Sequence, residues 1–215
     1  MSNVKLKHSS GNGTKLHAPA ANPSADITLK VPSTTGSAGQ VLKVASANHS
    51  STNAELEWAA DSGGLFTSYA IVCDQKSAGT GGGTSVANTW TARDLNTEIA
   101  DPDSIVSIAS NRFTLGAGDY LIKWSSPFFY TNRMITRLYD HTNTAVKQYG
   151  MSAYVPGSSG EQVPSLGWAR ISPTGSTAYE IQYYADNGDS DGLGHDSPDD
   201  VSTTIYTVVE IYKEV

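Results

Sequence analysis

Apolar and polar positions alternate along most of this chain, and no span shows a sustained three-to-four spacing of apolar residues. The alternation predicts strands over Tyr69–Asp74, Ile105–Ile108, Tyr120–Trp124, Met134–Tyr139, Val146–Tyr154, Leu166–Ile171, Tyr179–Tyr184 and Thr204–Tyr212. Turn chemistry separates them: Gly116-Ala117-Gly118-Asp119, Asp140-His141-Thr142-Asn143, Pro156-Gly157-Ser158-Ser159-Gly160 and Ser172-Pro173-Thr174-Gly175. Short strands at regular spacing predict an antiparallel sandwich of jelly-roll size, with few helices.

Ahead of residue 65 the pattern thins. Val4 and Leu6 alternate with lysines before the turn Ser9-Ser10-Gly11-Asn12-Gly13. Ile27, Leu29 and Val31 alternate with Thr28 and Lys30 until Pro32 ends the run. Val41, Leu42 and Val44 follow Gly36-Ser37-Ala38-Gly39, and Leu56 and Trp58 precede Asp61-Ser62-Gly63-Gly64, a linker by composition. Residues 1–64 hold one aromatic residue, Trp58, whereas residues 65–215 carry every Phe and Tyr and the other three Trp. The chain therefore reads as an extended β arm and linker over 1–64, followed by a β domain over 65–215. Each arm strand has one thin apolar edge, too little for a lone hairpin in water. Such an arm needs identical copies or a host assembly to lie against, or it is a disordered tail. Three copies around an axis would pool the edges into one narrow core.

The last strand is apolar on both faces by strict alternation: Ile205, Val209 and Ile211 on one, Tyr206, Val208 and Tyr212 on the other. An antiparallel strand normally leaves one polar face. Burial on both sides in a two-layer sandwich calls for a second layer from another subunit, so oligomerisation is the simplest account.

Charge narrows the field of partners. The net charge is −7. Five lysines in the arm (Lys5, Lys7, Lys15, Lys30, Lys43) meet four carboxylates (Asp26, Glu55, Glu57, Asp61), so the arm is +1 and the β domain −8. An acidic domain repels phosphate backbones and anionic membranes, which argues against nucleic-acid binding. No stretch approaches the ~18 apolar residues of a membrane span, and Met1-Ser2-Asn3-Val4-Lys5 is not followed by an apolar leader segment, so no membrane insertion and no Sec export are expected. The single cysteine, Cys73, excludes an intrachain disulfide and reads as a small buried side chain.

Two segments carry a resemblance. Phe113-Thr114-Leu115-Gly116-Ala117-Gly118-Asp119-Tyr120-Leu121-Ile122-Lys123-Trp124 and the closing Thr204-Ile205-Tyr206-Thr207-Val208-Val209-Glu210-Ile211 resemble C1q/TNF-like trimeric jelly rolls. The arm, from Val4-Lys5-Leu6-Lys7-His8 through Ala18–Leu29 and Gly39-Gln40-Val41-Leu42-Lys43 to Leu56-Glu57-Trp58, is similar to a segment of tailed-phage fibre proteins, marine ones in particular. No collagen or stalk sequence accompanies the jelly-roll motifs, so cytokine and complement roles do not transfer. The resemblance implies a homotrimer in a virion, not an enzyme. Its arm would contact other virion proteins through Val4, Leu6, Ile27, Leu29 and Val31, and its C-terminal knob would meet a host surface receptor or glycan. A head fibre or capsid decoration protein is the alternative placement, and a free Ca²⁺-dependent carbohydrate-binding module an alternative of another class.

Candidate chemistry is sparse. In Asp186-Asn187-Gly188-Asp189-Ser190-Asp191-Gly192, the residues Asn187, Asp189 and Asp191 sit at the alternate positions that open a Ca²⁺ loop. The position where a bidentate Glu is expected is Pro198, so an EF-hand is excluded. A weaker Ca²⁺ site drawing on Asp196, Asp199 or Asp200 stays open beside a merely solvated loop. If the last strand lies antiparallel to Tyr69–Asp74, this loop and Ser77-Ala78-Gly79-Thr80-Gly81-Gly82-Gly83-Thr84 share the pole away from the arm. Gly81, Gly82, Asp189, Asp191 and His195 are the expected contact residues there, since loops carry recognition on a rigid scaffold. The glycine run lacks the Gly-Lys-Ser/Thr of a phosphate loop. His8, His17, His49, His141 and His195 show no zinc spacing, and no two carboxylates are paired as in a glycosidase. Trp90, Trp124 and Trp168 are expected in the core rather than on a sugar-stacking surface.

Overall fold

The computed structural model describes residues 4–7, 13–16, 25–47, 50–61, 64–156, 160–197 and 201–215, the first two segments as backbone. His8, His17, His49, the stretch 18–24, the side chains of Val4 and Leu6, residues 157–159 of one expected turn, and Pro198, Asp199 and Asp200 lie outside that description. The chain divides into two compact units, Met1–Gly63 and Gly64–Val215.

Among the described residues the first unit contains five strands: β1 (Val4–Lys7), β2 (Gly13–Leu16), β3 (Thr28–Lys30), β4 (Gln40–Val44) and β5 (Asn53–Ala60). β1 and β2 form an antiparallel pair, Val4 opposite Leu16. β5 is the centre of a three-stranded sheet, antiparallel to β4 (Leu42 opposite Trp58, Val44 opposite Leu56) and parallel to β3 (Leu29 beside Ala54). Because successive side chains alternate across a pleated sheet, this register collects Leu29, Ala54, Leu56, Trp58, Leu42 and Val44 on one face. The other face is polar, with Lys43 3.7 Å from Glu57. Trp58 fixes the loop that follows β3: its indole N–H donates to the Thr34 carbonyl at 2.8 Å, and Gly36, at φ 69°, lies flat against the ring where a Cβ would collide.

The second unit adds β6 (Phe66–Ser77), β7 (Thr91–Ala92), β8 (Thr97–Ala100), β9 (Val106–Ala109), β10 (Arg112–Leu115), β11 (Tyr120–Phe129), β12 (Asn132–Asp140), β13 (Ala145–Tyr149), β14 (Ala153–Val155), β15 (Gln162–Ile171), β16 (Thr177–Ala185) and β17 (Thr203–Glu214). They make a jelly-roll sandwich of two antiparallel sheets, and the fold is all-β. One sheet runs β15-β11-β17-β6-β8; the other runs β13-β12-β16-β10-β9, with β14 added to β12 and β7 to β16. The main core lies between them, built from Ala70, Val72, Phe113, Leu115, Tyr120, Ile122, Trp124, Leu138, Ile181, Val209 and Ile211 among others. Trp124 satisfies its indole N–H on Thr136 Oγ1 at 2.8 Å, and Thr136 in turn shares a bond of 2.8 Å with Ser165.

Several expectations are corrected. The run Val146–Tyr154 is two strands, broken where Gly150 donates to the Thr136 carbonyl and a Cβ would collide with Thr136 and Leu166. β8 and β10 lie outside the runs that alternation marked. β10 is joined to β9 by Ser110-Asn111, both left-handed (φ 52° and 62°), a two-residue hairpin turn without glycine. In β17 strict alternation fails. The register to β6 shifts between Ile205 and Val208, so a bulge turns both Tyr206 and Thr207 inward while Ile205 faces out. Trp124 is core, but Trp90 is half-buried on the seven-stranded sheet's outer side and Trp168 is exposed. Cys73 is fully buried.

Candidate functional site

β17 is antiparallel to β6, with Thr203 opposite Ser77 and Glu214 opposite Phe66. The start of β17 and the ends of β6 and β11 therefore share one pole of the sandwich, and Leu65 and Val215 lie at the other. At the first pole the glycine-rich segment after β6 and the acidic segment after β16 are zipped together. Gly82 donates to the Gly194 carbonyl at 2.7 Å, Leu193 to Gly83 at 3.0 Å, and Ser85 to Asp189 at 2.9 Å. The glycines are there for space: a Cβ on Gly82 would strike the Leu193 backbone, and one on Gly81 the Asp191 carboxylate. Asp189 braces its own loop, its Oδ1 accepting the Asp191 N–H at 2.9 Å while its N–H donates to Ser85 Oγ at 3.0 Å.

Beneath the zipped loops sits a fully buried arginine that sequence reading passed over. Arg93 donates from Nε to Thr207 Oγ1 at 2.7 Å, from Nη1 to the Pro127 carbonyl at 3.2 Å and from Nη2 to the Leu193 carbonyl at 2.7 Å. Its guanidinium also lies 5.2 Å from the Phe128 ring centre. Burial lowers its pKa to about 10, with Asp74 opposing that shift, so it stays charged at neutral pH. The β17 bulge thus supplies Thr207 to a cation that pins the acidic loop to the frame. A lone Arg between Ala92 and Asp94 gives no sequence signal of that role.

The structure therefore brings Gly81, Gly82, Asp189 and Asp191 together. Gly82 is buried under Leu193 and Tyr206, whereas Asn187, Ser190 and His195 are exposed. His195 belongs to a neighbouring patch: its N–H donates to Gln162 Oε1 at 2.7 Å and its Nδ1 lies 2.7 Å from Asp196 Oδ1. Among the described residues no three His, Cys, Asp or Glu side chains gather where they could hold a metal ion. Asn187, Asp189 and Asp191 meet the loop's own backbone and Ser85.

A second surface is the outer side of the five-stranded sheet. Register across β15, β11, β17 and β6 places Leu166, Trp168, Leu121, Val208, Tyr212, Tyr69 and Ile71 on it. Trp168 is 59% exposed, Tyr69 43% and Leu166 40%. Polar groups on this side are paired: Lys123 lies 3.2 Å from Glu210, which accepts the Tyr212 hydroxyl at 2.8 Å, and Arg170 grips Glu214 in a bidentate pair. Ile27, Leu29 and Val31 of the first unit are also exposed.

No family model matches the chain, and no curated protein matches it. Among solved structures it is similar to the globular domain of the zebrafish complement 1qA protein (13% identity, 68% of this chain and 97% of that one, TM-score 0.47). It is similar also to Eiger TNF from S. frugiperda (9%, 68% and 92%, 0.47) and to the PRD1 vertex protein P5 (12%, 71% and 100%, 0.43). Strand order and register define the class from the chain itself, an all-β jelly-roll protein with a strand-bearing N-terminal unit. Among the described residues no helix is long and apolar enough to cross a membrane.

Proposed function

We propose that this chain is a structural fibre protein of a tailed-phage virion, a homotrimer that works by binding and not by catalysis. The observation that carries the reading is the outer side of the five-stranded sheet. It is a broad apolar surface whose polar groups are already paired with one another, the condition under which another subunit covers it without orphaning a charge. β17 then is buried on both sides, by its own core and by a neighbour. The N-terminal unit, with Ile27, Leu29 and Val31 exposed, anchors the trimer to other virion proteins. The loops at the pole opposite Leu65 and Val215, held by Arg93, face the host surface three at a time, so that weak single contacts add through multivalency.

Sedimentation equilibrium of the full chain tests this. A mass of three chains is expected, falling towards one chain in Trp168→Glu, which places a charge in the proposed contact. A monomeric parent protein sinks the trimer. Immunogold labelling of particles then reads whether the chain is on the virion, and at tail or head.

A further inference from the structure

β11 ends at Phe129 and β12 begins at Asn132, leaving Tyr130 and Thr131 to turn the chain. Tyr130 has φ 53° and Asn132 φ 58°. Asparagine adopts the left-handed region readily; a bulky aromatic residue there is an outlier, and such strain gathers at binding sites. What the strain achieves is placement. The Tyr130 ring stands 4.1 Å from Phe129 at 58°, and Phe129 stands 4.8 Å from His195 at 60°. These three rings wall an open hollow of about 460 Å³, completed by Gly160, Gln162 and Asp196.

The polar groups around the hollow are held in fixed roles. Gln162 Oε1 accepts the His195 backbone N–H, which sets the amide so that Nε2 is its donor end. His195 Nδ1 lies 2.7 Å from Asp196 Oδ1, which leaves the second ring nitrogen, Nε2, for a ligand. Asp196 keeps acceptor capacity beyond that contact. The Gln162 amide, the His195 ring nitrogen, the Asp196 carboxylate and the Tyr130 hydroxyl thus bring both donors and acceptors to aromatic surface. A pyranose has the complementary chemistry, with an apolar C–H face for a ring and hydroxyls that both donate and accept. Among the described residues no Lys or Arg lines the hollow, and the surrounding domain is acidic, which disfavours phosphate and anionic sugars.

We infer that this hollow binds a neutral saccharide, with the Tyr130–Phe129–His195 wall taking the C–H face and Gln162, His195 and Asp196 the hydroxyls. The inference rests on the fibre reading and names the site and ligand class at its tip.

Saturation-transfer NMR on the full chain tests it, using the methyl glycosides of glucose, galactose, mannose and N-acetylglucosamine, with lactose, maltotriose and sialyllactose. Ring C–H protons of at least one neutral sugar are expected to receive saturation at millimolar ligand, and sialyllactose none. Tyr130→Asn keeps the left-handed backbone without the ring and lowers the signal by about fivefold or more. Asp196→Asn lowers it by about twofold, and both variants keep the parent thermal transition. No transfer to any neutral sugar, transfer to sialyllactose alone, or a Tyr130→Asn protein that binds like the parent each overturns the site. Immunogold on particles separates the two readings. Labelled particles with no sugar signal remove the hollow and leave the fibre, whereas a Tyr130-dependent signal with unlabelled particles removes the fibre and leaves the site.

Discussion

The same alternation gives two outcomes in this molecule. In β3, β4 and β5 the apolar side chains gather on one face of a three-stranded sheet, yet Leu42 remains 45% exposed, Val44 49% and Leu29 60%. In β11 and β17 the equivalent residues, Ile122, Val209 and Ile211, are fully buried. Past the bulge of β17 the strands do not differ in their periodicity. They differ in what stands opposite. β11 and β17 meet a second sheet that brings Phe113, Leu138 and Ile181, whereas the described residues of the first unit contain no second layer. A sheet with an apolar face is half of a structure, and the length of chain available decides whether the other half comes from the same molecule.

Substitutions at matched positions sharpen that contrast. The largest effect is expected from Phe113→Ala, which empties a fully buried ring stacked on Tyr179 and costs about 3–5 kcal/mol in denaturant unfolding of the second unit. Gly167→Ala comes next. Its Cβ would enter the Trp124 indole, and the overpacking costs about 1–3 kcal/mol, read from the same transition. Thr136→Val orphans the Trp124 N–H and one Ser165 bond for a similar or smaller loss, about 1–2 kcal/mol, with a shift in tryptophan fluorescence as the local readout.

Alkaline pH acts on the core more gently. Burial, with the Asp140 charge added, pushes the Tyr179 hydroxyl up to about 12 from an ordinary value near 10. A raised value in the folded state means that this contribution is whole below pH ~10 and is lost as pH climbs towards ~12. Melting temperature should therefore fall over that window, and fall less in Tyr179→Phe. Leu42→Ala is expected to have the smallest effect. It should move the second unit's transition by less than about 0.5 kcal/mol, because its side chain is largely exposed. A loss near that of Phe113→Ala would mean that the two units share one cooperative core, and would break the contrast.

Legibility followed how local the cause was. β12 and β15 were readable because each keeps one face on the core throughout, and period two survives along them. The turn Asp140–Asn143 was readable because its Asp side chain caps it, Oδ1 accepting the Asn143 N–H at 2.9 Å. The acidic and glycine-rich loops were placed at one pole by a single topological condition, that β17 runs antiparallel to β6. Alternate Asx residues like those of the acidic loop also arise when side chains brace a turn, as Asp189 does.

The amino-acid sequence by itself determined the strand-rich character, the division into a thin and a thick part, and the absence of an intrachain disulfide. Each follows from short-range periodicity, composition, or chain order. Tertiary structure alone decided that Tyr206 and Thr207 both turn inward, that Arg93 is buried, and that Trp168 is not. It alone brought Tyr130, Gln162 and His195 around one hollow. These depend on a one-residue register shift and on contacts between segments far apart along the chain, and nothing local in the residues encodes either.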